Sequence, residues 1–319
     1  MADVAILGSG MWGTTLGKVL VESGQNVKIW GIESEIVGEI NKHHSYEGRL
    51  PGIELPKKLT ATTEIKDVLG AKFFILAIAA QHARSALLNL LPQFEQKWGK
   101  DRQKWPVFIS VMKGMEQSTG KMMGEMIAEV LEIDKVKVAC IAGPNLALEV
   151  AKRMPASTTV AASSIEVAES VAELFANSEY FDAEVSDDIK GVELLSCLKN
   201  VYALAAGYYS GQGYGSSTIA TIITRALKES TELLKAVGGK RDTILTYAGL
   251  GDMIATCCSP LSRNHSFGFK LGQGLSVLQA SESSNGVSEG VPTVEVVVKL
   301  ANLLGVKMPI AQEVLGFVK

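Results

Sequence analysis

Lys199 lies in the run ELLSCLKNVYAL, where Leu195, Leu198, Tyr202 and Ala205 mark one helical stripe and the lysine falls inside it. A lysine on such a stripe must either snorkel its ammonium to water or lose part of its preference for the charged form. In the second case it exchanges protons near neutral pH, as a general acid or base must. Asp252, in YAGLGDMIATCC, follows a Gly-Leu-Gly turn and precedes an apolar helical run. That place suits a helix N-cap, and it equally suits a carboxylate that orients a lysine through a charge-assisted hydrogen bond. Ser262, Arg263 and Asn264 offer a hydroxyl, a planar guanidinium and an amide in succession after Pro260. The set fits a phosphate, which arginine grips through two parallel bonds, and a capped helix start has the same pattern. Lys113, in FISVMKGME, and Gly143, Pro144 and Asn145, in VACIAGPNLALEVA, each follow a strand-like run. Ligands of open α/β sheets bind outside the carboxyl ends of strands. A solvated loop lysine and a plain turn would look alike at these two places.

A different chemistry is written in glycines. Val4–Leu7 reads as a short buried strand, Gly8, Gly10 and Gly13 follow as G-x-G-x-x-G, and TTLGKVLVESG continues at helical spacing. Strand, glycine turn and helix in this order form the dinucleotide fingerprint. Gly8 allows the tight turn, Gly10 lets backbone approach a pyrophosphate, and Gly13 lets the helix pack on the strand. The helix start turns unpaired N–H groups and its positive end toward the anion. A second strand, VKIW, ends near Glu33, about 20 residues beyond Gly13, where an acid can bind the ribose hydroxyls. On that rule NAD is favoured over NADP, because a carboxylate repels a 2′-phosphate. Arg49 is the counterweight, since a loop arginine can reach over the same end.

These residues need a scaffold. Strand-like runs Val4–Leu7, Val27–Trp30, Phe73–Ile78, Val107–Val111, Val136–Ile141 and Ser157–Ala161 alternate with helical segments such as Thr14–Glu22, Arg84–Leu91 and Met122–Leu131. That alternation predicts a parallel sheet covered on both faces. Beyond about Asp187 the runs look helical, with few strand signals between them. The expected fold is α/β, a Rossmann-like N-terminal domain with an all-helical C-terminal domain. Residues 1–188 would bind the dinucleotide, and 189–319 would form the substrate-binding and catalytic domain. The chain is 319 residues long, 47% hydrophobic and 20% charged, with net charge −3. No basic excess points to nucleic acid, and no apolar run approaches the ~20 residues of a membrane span. The first strand begins at Val4, so no secretory leader is expected. Cys140, Cys197, Cys257 and Cys258 lack C-x-x-C spacing and read as reduced thiols in apolar surroundings, in a cytoplasmic protein. No metal is expected, because His43, His44, His82 and His265 lack the company of a ligand set.

The motifs GSGMWG, SVMKGME, AGPNLALEV, GVELLSCLKNVYALAAG, ITRAL, AGLGDMIATCCSPLSRN and GVKMPI together carry a resemblance. They resemble, in the same order and over nearly the whole chain, the NAD(P)-dependent glycerol-3-phosphate dehydrogenases of bacterial type. The resemblance implies reversible hydride transfer between a nicotinamide and the C2 carbon linking sn-glycerol 3-phosphate to dihydroxyacetone phosphate, supplying the glycerophosphate backbone of phospholipids. It makes Lys199 the proton acceptor in oxidation and the donor in reduction, with Lys113 and Asp252 beside it. It places Lys113, Gly143, Asn145, Lys199, Asp252, Ser262, Arg263 and Asn264 at the substrate. Gly8, Ser9, Gly10, Met11, Trp12, Gly13, Glu33, Arg49, Lys113, Ala147, Arg263, Val287 and Glu289 fall at the cofactor, NAD or NADP. A homodimer is expected. The chain departs from the family's pattern after the second strand, where Ile32 and Glu33 replace the usual His or Arg, and at Arg49, Ala79-Ala80 and Asn145. A dehydrogenase of 3-hydroxy acids or sugar acids, and a catalytically silent NAD-binding sensor, are the competing readings. LSRN argues against the first, and the joint presence of Lys113, Lys199 and Asp252 against the second.

Overall fold

The computed structural model describes residues 3–284 and 288–319. The chain divides into two compact units. One comprises residues up to Met112 with Met123–Ile141 and Asn145–Ile189; the other comprises Lys113–Met122, Ala142–Pro144 and Lys190–Lys319.

The first unit is built on a sheet of eight strands: β1 (Val4–Leu7), β2 (Val27–Trp30), β3 (Thr60–Thr62), β4 (Phe73–Leu76), β5 (Val107–Ser110), β6 (Val138–Ala142), β7 (Ala156–Ala162) and β8 (Phe181–Ser186). Their order is β3-β2-β1-β4-β5-β6-β7-β8. β1 pairs in parallel with both β2 and β4, β2 with β3, β4 with β5, β5 with β6, and β7 with β8. Leu7 is in register with both Trp30 and Leu76, so β1, β2 and β4 end level at their carboxyl edge. Side chains alternate across β1: Val4 and Ile6 pack into one apolar cluster, Ala5 and Leu7 into another. A strand buried on both faces has no polar side to show, which is why these runs read as continuously apolar. The second cluster is dominated by rings, with Phe74, Phe94, Trp98, Trp105 and Phe108 in mutual edge and tilted contact.

Several boundaries differ from the sequence reading. The fingerprint helix starts at Met11, not Thr14. The helix expected over Arg84–Leu91 runs from Ala80 to Trp98 and carries Pro92 inside it. The strand expected from Val136 begins at Val138, after a short 3₁₀ turn capped by Asp134. β3 and β8 had no strand signal. β3 is only three residues long, and β8 is a half-exposed edge strand of mixed polarity, FDAEVS.

In the second unit the long helix Ile189–Gly211 is buried without a break from Gly191 to Gly207. The stripe through Leu195 and Tyr202 is therefore too narrow a description: this helix is enclosed on every face. Helices Ser216–Ala236, Asp252–Cys258, Arg263–Gly272, Val277–Glu282, Gly290–Leu303 and Pro309–Phe317 complete the unit. Among the described residues no helix is long and apolar enough to cross a membrane.

Candidate active site

The glycine fingerprint forms at the carboxyl ends of β1 and β4. Gly8 has φ +121°, and a Cβ there would lie 2.5 Å from the Ala77 carbonyl oxygen, just past the end of β4. A Cβ on Gly13 would run into the Gly8 carbonyl oxygen. Gly10 differs from both, because nothing lies within 4 Å of where its Cβ would be. Gly8 and Gly13 are thus required by the fold, whereas Gly10 leaves open space at a helix N-terminus. Gly10 is the N-cap, and Met11 and Trp12 open the helix with half-exposed side chains. Their N–H groups belong to the first turn, where no intrahelical acceptor exists. The cradle fits a pyrophosphate.

Ser9 donates its hydroxyl to Glu33 Oε2 at 3.1 Å, which fixes the acid beside the glycine turn. Arg49 donates its backbone N–H to the Tyr46 carbonyl at 3.0 Å, and both Arg49 and Glu33 lie close enough to act electrostatically on the Tyr46 phenol. Ala147 opens a short helix, and its carbonyl accepts from Thr15 Oγ1 of the fingerprint helix at 3.4 Å. Asn145 spends its amide on the fold, donating from Nδ2 to the Ser157 carbonyl at 2.9 Å.

The second constellation lies wholly in the other unit. Lys199 does not snorkel. Its side chain is 4% exposed, and its ammonium is in direct contact with Asp252 Oδ1. Lys113 Nζ stands 3.6 Å from Asp252 Oδ2, with its side chain 21% exposed. Thr256, one turn after Asp252, donates to Oδ1 at 3.1 Å. The N-cap reading of Asp252 fails: a π-helical turn, Tyr247–Gly251, runs directly into the helix, so Asp252 is already helical. Its carboxylate faces two lysines instead of a backbone N–H. Pro144, next to Gly143, lies about a van der Waals contact from the Cβ position of Gly251, beside this turn.

Two ammonium groups share one buried carboxylate, so one proton is poorly held. Burial drives the Lys199 pKa down to about 7; Asp252 opposes this and the Lys113 charge adds to it. Burial also works against the Lys113 ammonium, but there Asp252 prevails and the pKa rises. The more enclosed lysine thereby becomes the group that gains and loses a proton near neutrality.

Ser262 caps the helix Arg263–Gly272 by accepting from the His265 N–H at 3.2 Å. Arg263 is exposed, while Asn264 is buried. Glu289 is exposed, and the cations acting on its carboxyl are Lys113, Arg263 and Lys199. Val287 lies outside the described residues. Burial lowers the His265 pKa, and among the described residues no charged group is a cause of its shift. Cys140, Cys197 and Cys257 are buried, whereas Cys258 is exposed, contrary to the apolar setting expected for it. The sequence reading missed Thr256 and Asn200. Their signals were spacing alone, since Thr256 is four residues from Asp252 on one helix face and Asn200 adjoins Lys199.

The chain is similar to known proteins along its whole length. The description NAD-dependent glycerol-3-phosphate dehydrogenase N-terminus matches residues 3–168, and the corresponding C-terminus matches residues 188–319. A glycerol-3-phosphate dehydrogenase [NAD(P)+] of Bifidobacterium longum is 44% identical over 316 residues, covering 98% of this chain and 91% of that protein. One from Thermobifida fusca is 41% identical over 318 residues, covering 99% and 92%. The crystal structure of glycerol-3-phosphate dehydrogenase from Coxiella burnetii superposes with a TM-score of 0.89 at 30% identity, covering 99% of this chain and 94% of that one. With both halves matched in order and relatives above 40% identity along its length, the chain belongs to the NAD(P)-dependent glycerol-3-phosphate dehydrogenase family.

Proposed function

We propose that this protein interconverts dihydroxyacetone phosphate and sn-glycerol 3-phosphate, using NAD or NADP as its redox partner. The observation that carries the reading is the Lys113–Asp252–Lys199 cluster, which gives one lysine a pKa of about 7 inside the protein. The Gly8–Gly13 turn with Ser9, Met11 and Trp12 would hold the nicotinamide dinucleotide, which when bound would supply the hydride chemistry. Ala147, Glu33 and Arg49 would attend it from the same unit, and Lys113, Arg263, Val287 and Glu289 complete the set.

Lys199 handles the proton. In reduction its ammonium hydrogen-bonds the C2 carbonyl oxygen and gives up a proton as that oxygen gains charge; in oxidation its neutral amine takes the proton from the C2 hydroxyl. Asp252 orients the lysine and stabilises its charged form, with Thr256 fixing the carboxylate. Lys113 keeps its own charge and so prevents Lys199 from holding its proton too tightly. Arg263, exposed at the start of its helix with Ser262 and Asn264 beside it, grips the phosphate. Gly143 and Asn145 are assigned to the substrate as well.

Residues 1–188 are assigned to dinucleotide binding, and 189–319 to substrate binding and catalysis. The direction of supply is toward the glycerophosphate backbone of phospholipids, in the cytoplasm, by a homodimer. NAD is the preferred form. The test is spectrophotometric: purified protein should oxidise NADH or NADPH only when dihydroxyacetone phosphate is added. Reduction of a 3-hydroxy acid's keto form in its place, or no turnover with any ketone, would overturn the reading. Size-exclusion chromatography with light scattering tests the dimer.

A further inference from the structure

The fingerprint helix Met11–Glu22 ends on an acid, where its own carbonyl dipoles disfavour negative charge. Arg153, just beyond the short helix Ala147–Ala151, breaks a second local rule. Its φ of +60° is the left-handed conformation that usually falls to glycine after a helix. The two exceptions meet. Arg153 donates to Glu22 Oε1 at 2.8 Å, and Lys18, one turn earlier, donates to the same oxygen at 2.7 Å. The Tyr180 hydroxyl donates to Oε2 at 2.5 Å. Burial opposes the Glu22 charge, but Arg153, Lys18 and Tyr180 outweigh it and hold its pKa below the usual carboxylate value.

This carboxylate joins three pieces of the first unit. Lys18 is buried, with its ammonium 5.9 Å from the centre of the Tyr180 ring. The Tyr180 carbonyl accepts from the Ala156 N–H at 2.9 Å, where β7 begins to pair with β8. Met11, Thr15, Lys18 and Glu22 follow one another at i, i+4, i+7 and i+11, so they share one face of the fingerprint helix. That face starts at the pyrophosphate cradle. Along it, Thr15 bonds the Ala147 carbonyl at one end of the short helix, and Glu22 bonds Arg153 past the other.

We infer that Glu22 is a positioning residue for the dinucleotide, acting through Arg153 to align the helix Ala147–Ala151 with the fingerprint helix. The inference rests on the dinucleotide reading of the Gly8–Gly13 turn. A helix of five residues does not hold its own place. Val150 and Ala151 pack it into the core, but apolar contact is non-directional and leaves its alignment open. Two polar contacts, one near each end, fix that alignment. Without the second, only a fraction of molecules keeps Ala147 in place for the cofactor, and the apparent affinity falls by that fraction. Glu22, Arg153 and Tyr180 all belong to the first unit, whereas Lys199 and Asp252 belong to the second. The loss should therefore appear in KM for NADH and spare kcat.

NADH fluorescence titration reads the effect without turnover. Arg153→Gly removes the contact and suits the left-handed backbone, and the ion pair it loses has an exposed arginine. Its Tm should hold while Kd for NADH rises about threefold. Glu22→Ala, which frees all three donors, should raise Kd and KM about tenfold with kcat within about twofold of wild type. Arg153→Lys should restore most of the affinity, because the bond to Glu22 comes from one nitrogen that an ammonium can replace. A purely structural network would make Kd follow Tm across the variants. An unchanged Kd in Arg153→Gly, or a Kd that moves only where Tm falls, overturns the inference. Failure of the dinucleotide reading looks different: the wild type itself would not bind NADH.

Discussion

The glycine turn and the lysine–aspartate cluster are built from opposite materials. Around Gly8, Gly10 and Gly13 the working groups are backbone N–H groups, and side chains matter mainly by being absent. Around Asp252 the working groups are three charged side chains from segments far apart in sequence, brought into contact by burial. The first arrangement is fixed by local conformation. The second depends on a balance of charges, two positive against one negative, and a single substitution alters every member. Backbone sites should therefore fail by losing affinity or fold, whereas the charged cluster should fail by losing chemistry.

The sharpest break of that contrast is at Lys199. Lys199→Ala should lower kcat by about 10²–10⁴-fold, the usual contribution of a positioned acid–base group, with NADH binding retained. Lys199→Arg should not restore it, since a guanidinium does not deprotonate in this range. In the intact enzyme, kcat/KM for oxidation should rise with pH through about 7, as the base is freed. The rate of reduction should fall over the same window. Lys113→Met removes a repelling charge, so both profiles should move to higher pH; a profile that stays in place would detach Lys113 from the proton balance.

Arg263 offers the next largest effect. Arg263→Ala should weaken dihydroxyacetone phosphate by about 2–5 kcal/mol if the pair is dry in the complex, and phosphate-free dihydroxyacetone far less. Equal losses in kcat/KM for the two substrates would assign Arg263 to the fold or the cofactor.

The two kinds of site were not equally legible in the sequence. The fingerprint was, because its meaning lies in spacing within thirteen residues and in the strand and helix on either side. Gly8 and Gly13 each have a steric reason that any chain with this turn must share. From the residues alone the lysine cluster was legible only as types, and Lys113 and Asp252 were set beside Lys199 by the family resemblance. Pairing Lys199 with Asp252 needs the π-helical turn that brings the aspartate into the helix, and no local pattern announces it. The sheet followed the same division: buried strands declared themselves by continuous apolar runs, whereas β3 was too short and β8 too polar at its edge.

The glycines allow a cleaner separation of fold from ligand. Gly13→Ala places a methyl against the Gly8 carbonyl and should destabilise the protein by about 1–3 kcal/mol in thermal or urea unfolding. Gly10→Ala meets nothing inside the protein, and its φ of −69° suits any residue, so Tm should hold. Its KM for NADH should nevertheless rise about tenfold, because the methyl occupies space reserved for the pyrophosphate. If Gly10→Ala binds NADH normally, that open space has another use.

The smallest expected effect concerns the choice between NADH and NADPH, where charged side chains join the backbone site. Ser9 holds Glu33 beside the glycine turn; on the proposed reading the acid accepts from the ribose hydroxyls and repels a 2′-phosphate. Glu33 is exposed, however, and solvent and salt screen the repulsion. Arg49, which acts on the same Tyr46 phenol as Glu33, supplies a positive charge of the opposite preference. The two nearly offset each other, leaving NADH ahead by about 1 kcal/mol, roughly fivefold in kcat/KM. Glu33→Ala should erase that margin, and Arg49→Ala should widen it. The measurement is kcat/KM for both cofactors at fixed dihydroxyacetone phosphate and low ionic strength, repeated at high salt, where both shifts should shrink. A wild-type preference for NADPH that disappears in Arg49→Ala would make the arginine, not the acid, the residue that selects the cofactor.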